Sequence, residues 1–425
     1  MTETLTERRE RLMGPNVPTF YRTPVKIVRG SGVWLWGADG KRYLDCYNNV
    51  AHVGHCHPRV VAAIAEQAAV LNTHTRYLHD GVLDYIERLT ARLDHGLSQA
   101  IMVCTGSEAN DIAIRMAQAV TGKTGMIATD NTYHGNTALV SQLSTRRPPI
   151  GGYAPWVRLI PSPDSLRPVG GSVGGQAAAF AAHVQAAIAD LEVKGIGFAG
   201  MMLCPVFANE GLPDLRADFL QPTVAAVRAA GGLLIADEVQ PGFGRVGSHF
   251  WGHERMGFAP DVVTVGKPMA NGHPVAAVIA RPDVMAAFRS AFGYFNTFGG
   301  NPVSAAACMA VLDVIEDEGL QDKAAETSAY LMQRLGALRH PMLANVRAAG
   351  QFYGIEFVLD ADMTPATEFV ADLVERMVAE GFLLNKIGRG GNTLKIRPPM
   401  VFGREHADLL ADALERALLT TPAHP

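Results

Sequence analysis

The sequence predicts an α/β protein built on a mostly parallel sheet, and three observations carry that prediction. Short apolar runs recur through the middle of the chain, each closed by a polar or glycine-rich turn and followed by a helical stretch. The runs are apolar at consecutive positions, as strands covered on both faces require. The chain has 425 residues, 48% hydrophobic and 18% charged, which is enough for a large core and a second unit.

In chain order, residues 34–36 and 41–44 flank Asp39-Gly40 and predict a hairpin. Residues 100–104, 125–128, 199–203, 232–236 and 262–265 are the apolar runs and predict strands. Between them, residues 108–120 stop before Gly122 and residues 217–230 stop before Gly231-Gly232, so both predict helices ended by glycine. Residues 144–175 hold Arg146-Arg147-Pro148-Pro149, Gly151-Gly152 and Gly170-Gly171-Ser172-Val173-Gly174-Gly175, and predict a long irregular excursion rather than a core element. From Ser304 the pattern changes to a long helix through Asp317, further amphipathic helices, and short strands near 354–358 and 393–396. A smaller α+β unit is expected there.

Composition excludes several classes of function. Lys and Arg number 37 against 41 Asp and Glu, a formal charge of −4 with no basic run, so nucleic acid is not an expected partner. Five scattered cysteines argue for a reducing compartment rather than a disulfide framework. Residues 1–14 contain no apolar core of a signal peptide, and no stretch approaches the apolar length of a membrane span. The expectation is a cytoplasmic protein without a membrane partner.

Four of the five runs end in residues able to do chemistry: Thr105-Gly106-Ser107, Asp130, Asp237-Glu238 and Gly266-Lys267. A polar residue ending one strand is ordinarily just solvated, but in open α/β sheets the carboxyl ends of the strands converge on a ligand crevice. Thr105-Gly106-Ser107-Glu108 reads equally as an anion site at a helix start and as an ordinary N-cap box. Lys267 after an apolar run loses water contact and with it proton affinity, which leaves an amine able to bind a carbonyl. A lysine amine, an aspartate for a protonated pyridine nitrogen and a helix-start phosphate cradle are what pyridoxal phosphate (PLP) requires of a protein.

Two other patterns fail their context tests. Gly242-Phe243-Gly244-Arg245-Val246-Gly247 matches a dinucleotide fingerprint, but residues 237–241 separate it from the strand and no acid follows at the expected distance. His52, His55, Cys56 and His57 lack metal-ligand spacing, since Gly54 and Pro58 break any helical face, so no metal is expected.

The chain resembles the class III aminotransferases of the fold type I PLP enzymes. The motifs that carry the likeness are Thr105-Gly106-Ser107-Glu108-Ala109-Asn110, Tyr133-His134-Gly135, Asp237-Glu238-Val239-Gln240, Gly266-Lys267 and Asn296-Thr297-Phe298-Gly299-Gly300-Asn301-Pro302. The resemblance implies a large PLP-binding domain over 66–303 with helices on both sheet faces, and a small domain built from 1–65 and 304–425. It implies that Lys267 holds PLP as a Schiff base and moves the substrate proton, and that Asp237 pairs with the pyridine nitrogen. Val239 and Tyr133 would pack on opposite ring faces, Gln240 would meet the phenolic oxygen, and Gly106 and Ser107 the phosphate. Thr297 would reach the phosphate of a partner subunit, which implies a homodimer with shared sites.

Within the class, Asn48-Asn49-Val50-Ala51-His52-Val53-Gly54-His55-Cys56-His57-Pro58 and Lys267-Pro268-Met269-Ala270-Asn271-Gly272-His273-Pro274-Val275 are similar to the ethanolamine-phosphate phospho-lyases. Lys395 stands where many family aminotransferases carry a carboxylate-binding arginine, and Arg397 precedes Pro398-Pro399. Asn49, Lys395 and Arg397 are therefore the implied substrate residues. Both groups usually have Glu where this chain has Cys204, and Glu210-Gly211 replaces a Gly-Gly pair. The expected reaction is amino transfer from an amine or amino acid to a 2-oxo acid or aldehyde; the alternative is elimination of phosphate and ammonia from a phosphorylated or phosphonate amine.

Overall fold

The computed structural model describes residues 3–146 and 148–420; Arg147 of the predicted excursion and the extreme ends of the two outer segments lie outside the described residues. The first strands in chain order are β1 (Ile27–Ser31), β2 (Trp34–Gly37), β3 (Arg42–Asp45), β4 (Gln99–Val103) and β5 (Gly125–Thr129). They are followed by β6 (Val157–Ile160), β7 (Phe198–Leu203), β8 (Leu233–Asp237), β9 (Val262–Val265) and β10 (Ala276–Ala280). The last are β11 (Leu343–Ala348), β12 (Tyr353–Phe357), β13 (Phe382–Leu383), β14 (Asn385–Ile387) and β15 (Thr393–Ile396).

The central sheet runs β4-β10-β9-β8-β7-β5-β6, and only β10 opposes the others in direction. Its strands divide their side chains between two cores with the period of two that strands impose. Met126, Ala128, Ile235, Val262, Ala276 and Val278 face a core shared with the helix Gly106–Thr121. Ile127, Leu234, Ala236, Val263, Ala277 and Ile279 face the other, shared with the helices Gln176–Val193 and Pro302–Asp317. Both faces of the sheet are thus covered, which is why its strands read as unbroken apolar runs.

A second sheet, β11-β12-β15-β14, packs on the helices Thr367–Ala379 and Arg404–Thr420. A third, β1-β2-β3-β13, contains the expected hairpin and joins the chain's opposite ends, because Phe382 of β13 lies in parallel register with Leu44 of β3. No described helix is long and apolar enough to cross a membrane.

Two expectations are corrected. The region 144–175 is not wholly irregular: Val157–Ile160 is a sheet strand, paired with β5 alone at the sheet edge. The helix expected over 217–230 starts only at Gln221, with Pro222 in its first turn, where its fixed φ and missing N–H cost nothing.

Candidate active site

The carboxyl ends of the parallel strands deliver the polar residues singled out above. Asp237 closes β8 and is buried. Its Oδ2 accepts from Asn110 Nδ2 at 3.0 Å and from His134 Nδ1 at 2.7 Å, while Oδ1 accepts from the Val239 N–H at 3.0 Å. Asn110 is fixed in turn, donating to the His134 carbonyl at 2.7 Å and accepting from Thr264 Oγ1 at 2.6 Å. The carboxylate is therefore held from three directions, and the charge of Lys267 lies within reach of it.

Lys267 follows β9 through Gly266 and takes φ +25°, a backbone conformation that L-residues rarely hold outside functional sites. Burial, reinforced by the Arg397 charge and opposed by Asp237, lowers its ammonium to about 8. Gly266, Gly106 and Val239 approach one another closely. A Cβ on Gly106 would stand 3.1 Å from Val239 Cγ2, and one on Gly266 would stand 3.5 Å from Val239 Cγ1 and 3.6 Å from the Gly106 nitrogen. Gly106 opens the 16-residue helix Gly106–Thr121, whose first-turn N–H groups point out of its start. Thr105 Oγ1 accepts the Glu108 N–H at 3.1 Å, whereas the Glu108 carboxylate takes the Cys104 N–H instead of returning to Thr105, so the N-cap box is only half formed. Ser107 Oγ is tied to Asn136, 3.2 Å from its Oδ1.

The substrate side lies beside this cluster. Lys395 on β15 is buried, donates to the Ala208 carbonyl and to Gln240 Oε1, each at 3.3 Å, and sits over the Phe352 ring. Arg397 donates to the Tyr47 carbonyl at 3.1 and 3.2 Å and to Gln240 Oε1. Burial pushes both cations down in proton affinity; the Arg397 charge, then that of Lys267, lowers Lys395 further, whereas Tyr47 and Asp45 oppose the fall at Arg397. Asn49 is buried, its Nδ2 3.5 Å from the Gln240 carbonyl and its Oδ1 without a hydrogen-bond partner. Cys204, at the end of β7, is a buried thiol pushed up by desolvation, next by the Asp237 and Glu210 charges.

Lys267, Asp237, Gly106, Val239, Gln240, Lys395 and Arg397 thus come together, with Ser107 and Asn49 at the edges. Tyr133 is 42% exposed, its carbonyl held by Asn209 Nδ2 at 3.4 Å. Thr297 is exposed on the segment beside β4 and shares in none of the cluster's hydrogen bonds within its own chain. Glu238 serves structure: its carboxylate accepts the Gly252 and His253 N–H groups at 2.9 and 2.7 Å. His52, His55 and His57 contact the Phe243 carbonyl, Asp45 and Glu318 respectively. The glycine run at 242–247 frames buried Arg245, which donates to the carbonyls of Gln351 and Pro398. The sequence reading gave no role to Asn110 or His134; the available signal was a polar residue on an otherwise apolar helix face, and a histidine beside the turn residue Gly135.

A buried lysine with a lowered proton affinity, an aspartate fixed by three donors, and a helix start packed against a valine define a PLP enzyme, and the residues present fit that cofactor. The family described as Aminotransferase class-III matches residues 18–418, and the chain belongs to it. The chain is 41% identical, over 96% of its length and 85% of the relative's, to a Drosophila melanogaster protein named alanine–glyoxylate aminotransferase 2-like. It is 33% identical, over 98% and 93%, to ethanolamine-phosphate phospho-lyase homolog 1 of Caenorhabditis elegans. Among solved structures, a phospholyase from Arthrobacter in complex with phosphoethanolamine superposes with a TM-score of 0.94 at 42% identity, covering 99% of this chain and 100% of that one. The protein is accordingly a PLP-dependent enzyme of the aminotransferase class.

Proposed function

We propose that this enzyme acts on a small primary amine carrying a phosphate, and releases phosphate and ammonia from it. The observation that carries the reading is the pair Lys395 and Arg397. Both are buried, both donate only to neutral oxygens, and among the described residues neither forms an ion pair with a carboxylate. Buried cations without counter-charge are costly, so the pair is best matched by a ligand dianion, which also restores the proton affinity that burial takes from Lys395. A carboxylate supplies half that charge. The Arthrobacter phospholyase, with its phosphoethanolamine, supports the same choice.

PLP, when bound, supplies an electron sink for the carbon that carries the amine. Lys267 Nζ, as the free amine, removes the proton from that carbon. Asp237, anchored by Asn110, His134 and the Val239 N–H, holds negative charge where the pyridine nitrogen is expected. Lys395 and Arg397 grip the phosphate as the C–O bond breaks and the electron pair departs with it. Water then replaces nitrogen on the remaining carbons, giving ammonia and an aldehyde.

Amino transfer to a 2-oxo acid or aldehyde is the second reading, supported by the family and by the Drosophila relative's name. In it Lys267 would hold and return that proton with no leaving group lost, and the Arg397 fork would grip a carboxylate. Incubation of the purified enzyme with phosphoethanolamine separates the two. Equal amounts of phosphate, ammonia and aldehyde without any keto acid are expected; amine consumption only when pyruvate or 2-oxoglutarate is present, with no phosphate released, overturns elimination. A homodimer with Thr297 completing the partner's site, the division at 65/66 and 303/304, and a cytoplasmic location belong to the same proposal; the five free cysteines support the last.

A further inference from the structure

The start of the helix Gly106–Thr121 makes one set of contacts that the mechanism above does not use. Glu108, in its first turn, reaches the segment that carries Thr297. Its Oε1 accepts from the Tyr294 hydroxyl at 2.7 Å and from Asn296 Nδ2, and its Oε2 accepts the Cys104 N–H at 3.1 Å. The other end of Asn296 is engaged as well: Oδ1 accepts the Phe298 N–H at 2.9 Å and the Gly299 N–H at 2.7 Å, closing a turn around Thr297. Gly299 in turn lies against β4, where a Cβ would overlap the Met102 carbonyl and stand 3.0 Å from Val103 Cα. Exposed Thr297 is thus presented by a backbone pinned on both sides, and Glu108 is the pin that comes from the helix.

Counting donors shows why a carboxylate is needed there. The Cys104 N–H, the Tyr294 hydroxyl and the Asn296 amide converge on its two oxygens, and only an ionised carboxyl accepts on both. A glutamine has one oxygen and one NH2. With that NH2 toward Cys104, two donors face each other. With it toward Asn296 they do so there, because Asn296 cannot reverse its amide without turning its own NH2 on the Phe298 and Gly299 N–H groups. An ordinary capping box would return the Glu108 side chain to the Thr105 N–H. Here it ties the helix that opens one phosphate cradle to the segment expected at another.

We propose that Glu108 is a positioning residue that acts across the dimer: it holds Asn296, and through it Thr297, in place for the cofactor phosphate of the partner subunit, from the same helix whose start cradles the phosphate of its own. This rests on Thr297 completing the partner's site. A subunit without the Glu108 carboxylate then spoils its neighbour's cofactor site and largely spares its own.

The test uses full-length heterodimers, purified through a different tag on each subunit, in which one subunit carries Lys267→Ala. The visible band of lysine-bound PLP then reports only the other subunit's site, and its titration gives that site's affinity. With Glu108→Gln added to the Lys267→Ala subunit, the opposite site should bind PLP about tenfold more weakly or worse, the loss typical of one hydrogen bond to a charged group. With Glu108→Gln placed instead on the subunit that keeps Lys267, the affinity should stay close to that of the heterodimer without it. Equal loss in both arrangements, loss only in the second, or loss in neither overturns the proposal, because a residue that serves only its own helix acts within its own subunit. Asn296→Asp keeps the Phe298 and Gly299 bonds but sets a second carboxylate against Glu108. It should give the same one-sided pattern and decides the matter if Glu108→Gln does not fold; a two-sided or absent effect from it counts equally against the role. Failure of the shared-site reading shows separately, as a Thr297→Ala change on the Lys267→Ala subunit that leaves the opposite site at full affinity.

Discussion

At Lys267, burial and the Arg397 charge act in the same direction, and Asp237 opposes them without prevailing. The lysine should therefore be half deprotonated at a pH of about 8 instead of far above it. Only the free amine attacks a carbonyl, so cofactor-stripped protein should recapture PLP at a rate that rises with pH and levels off once pH exceeds about 8. Stopped-flow absorbance across pH 6–11 checks this, and a rate still climbing above pH 10 would show that the amine is not desolvated. The identity of Lys267 and Asp237 was legible because each ends an apolar run. The residues that aim Asp237 were not, since Asn110 and His134 are 127 and 103 positions away in sequence and gain their role only when strands bring them together.

Among the elements, the turn after β5 does the most for the site. Gly135 has φ +148°, and a Cβ there would meet Ser107 Cα, Ser107 Oγ and Val140 at 2.8 Å each. Gly135→Ala should lift the turn off the helix start, weakening PLP binding and destabilising the fold by about 2 kcal/mol or more. Thermal denaturation with and without PLP checks both; an unchanged melting temperature in the cofactor-free protein would mean that the turn yields without strain. Strands in the sheet interior were legible as apolar runs because both their faces are covered. β6 was not, being partly exposed at two of its four residues and paired on one side only. The reversed direction of β10 has a simple origin: the ten residues between β9 and β10 are too few for a crossover helix, which a parallel neighbour would need.

For the whole molecule, the proposed homodimer is supported by an apolar face beside β4. Tyr77, Leu78, Phe292 and Phe295 line a cavity of about 480 Å³, and Leu78 is 99% exposed. Asn296 and Gly299, on either side of Thr297, line the same cavity. If sites are shared, a dimer of one Lys267→Ala and one Thr297→Ala subunit has one intact site and one with both lesions. At PLP concentrations too low to load the Thr297→Ala sites, random exchange of the two proteins should then recover about a quarter of the wild-type activity; demonstrated exchange without recovery means each subunit is self-sufficient. The pairing of β13 with β3 has a different kind of consequence. Val33, Leu44 and Cys46 share one core with Tyr353, Phe369 and Leu410, so their apolar side chains wait for segments made more than 300 residues later before they are covered. During synthesis this fold is an open clasp, and a nascent chain stalled before Phe382 offers that bare surface to chaperones or to other chains.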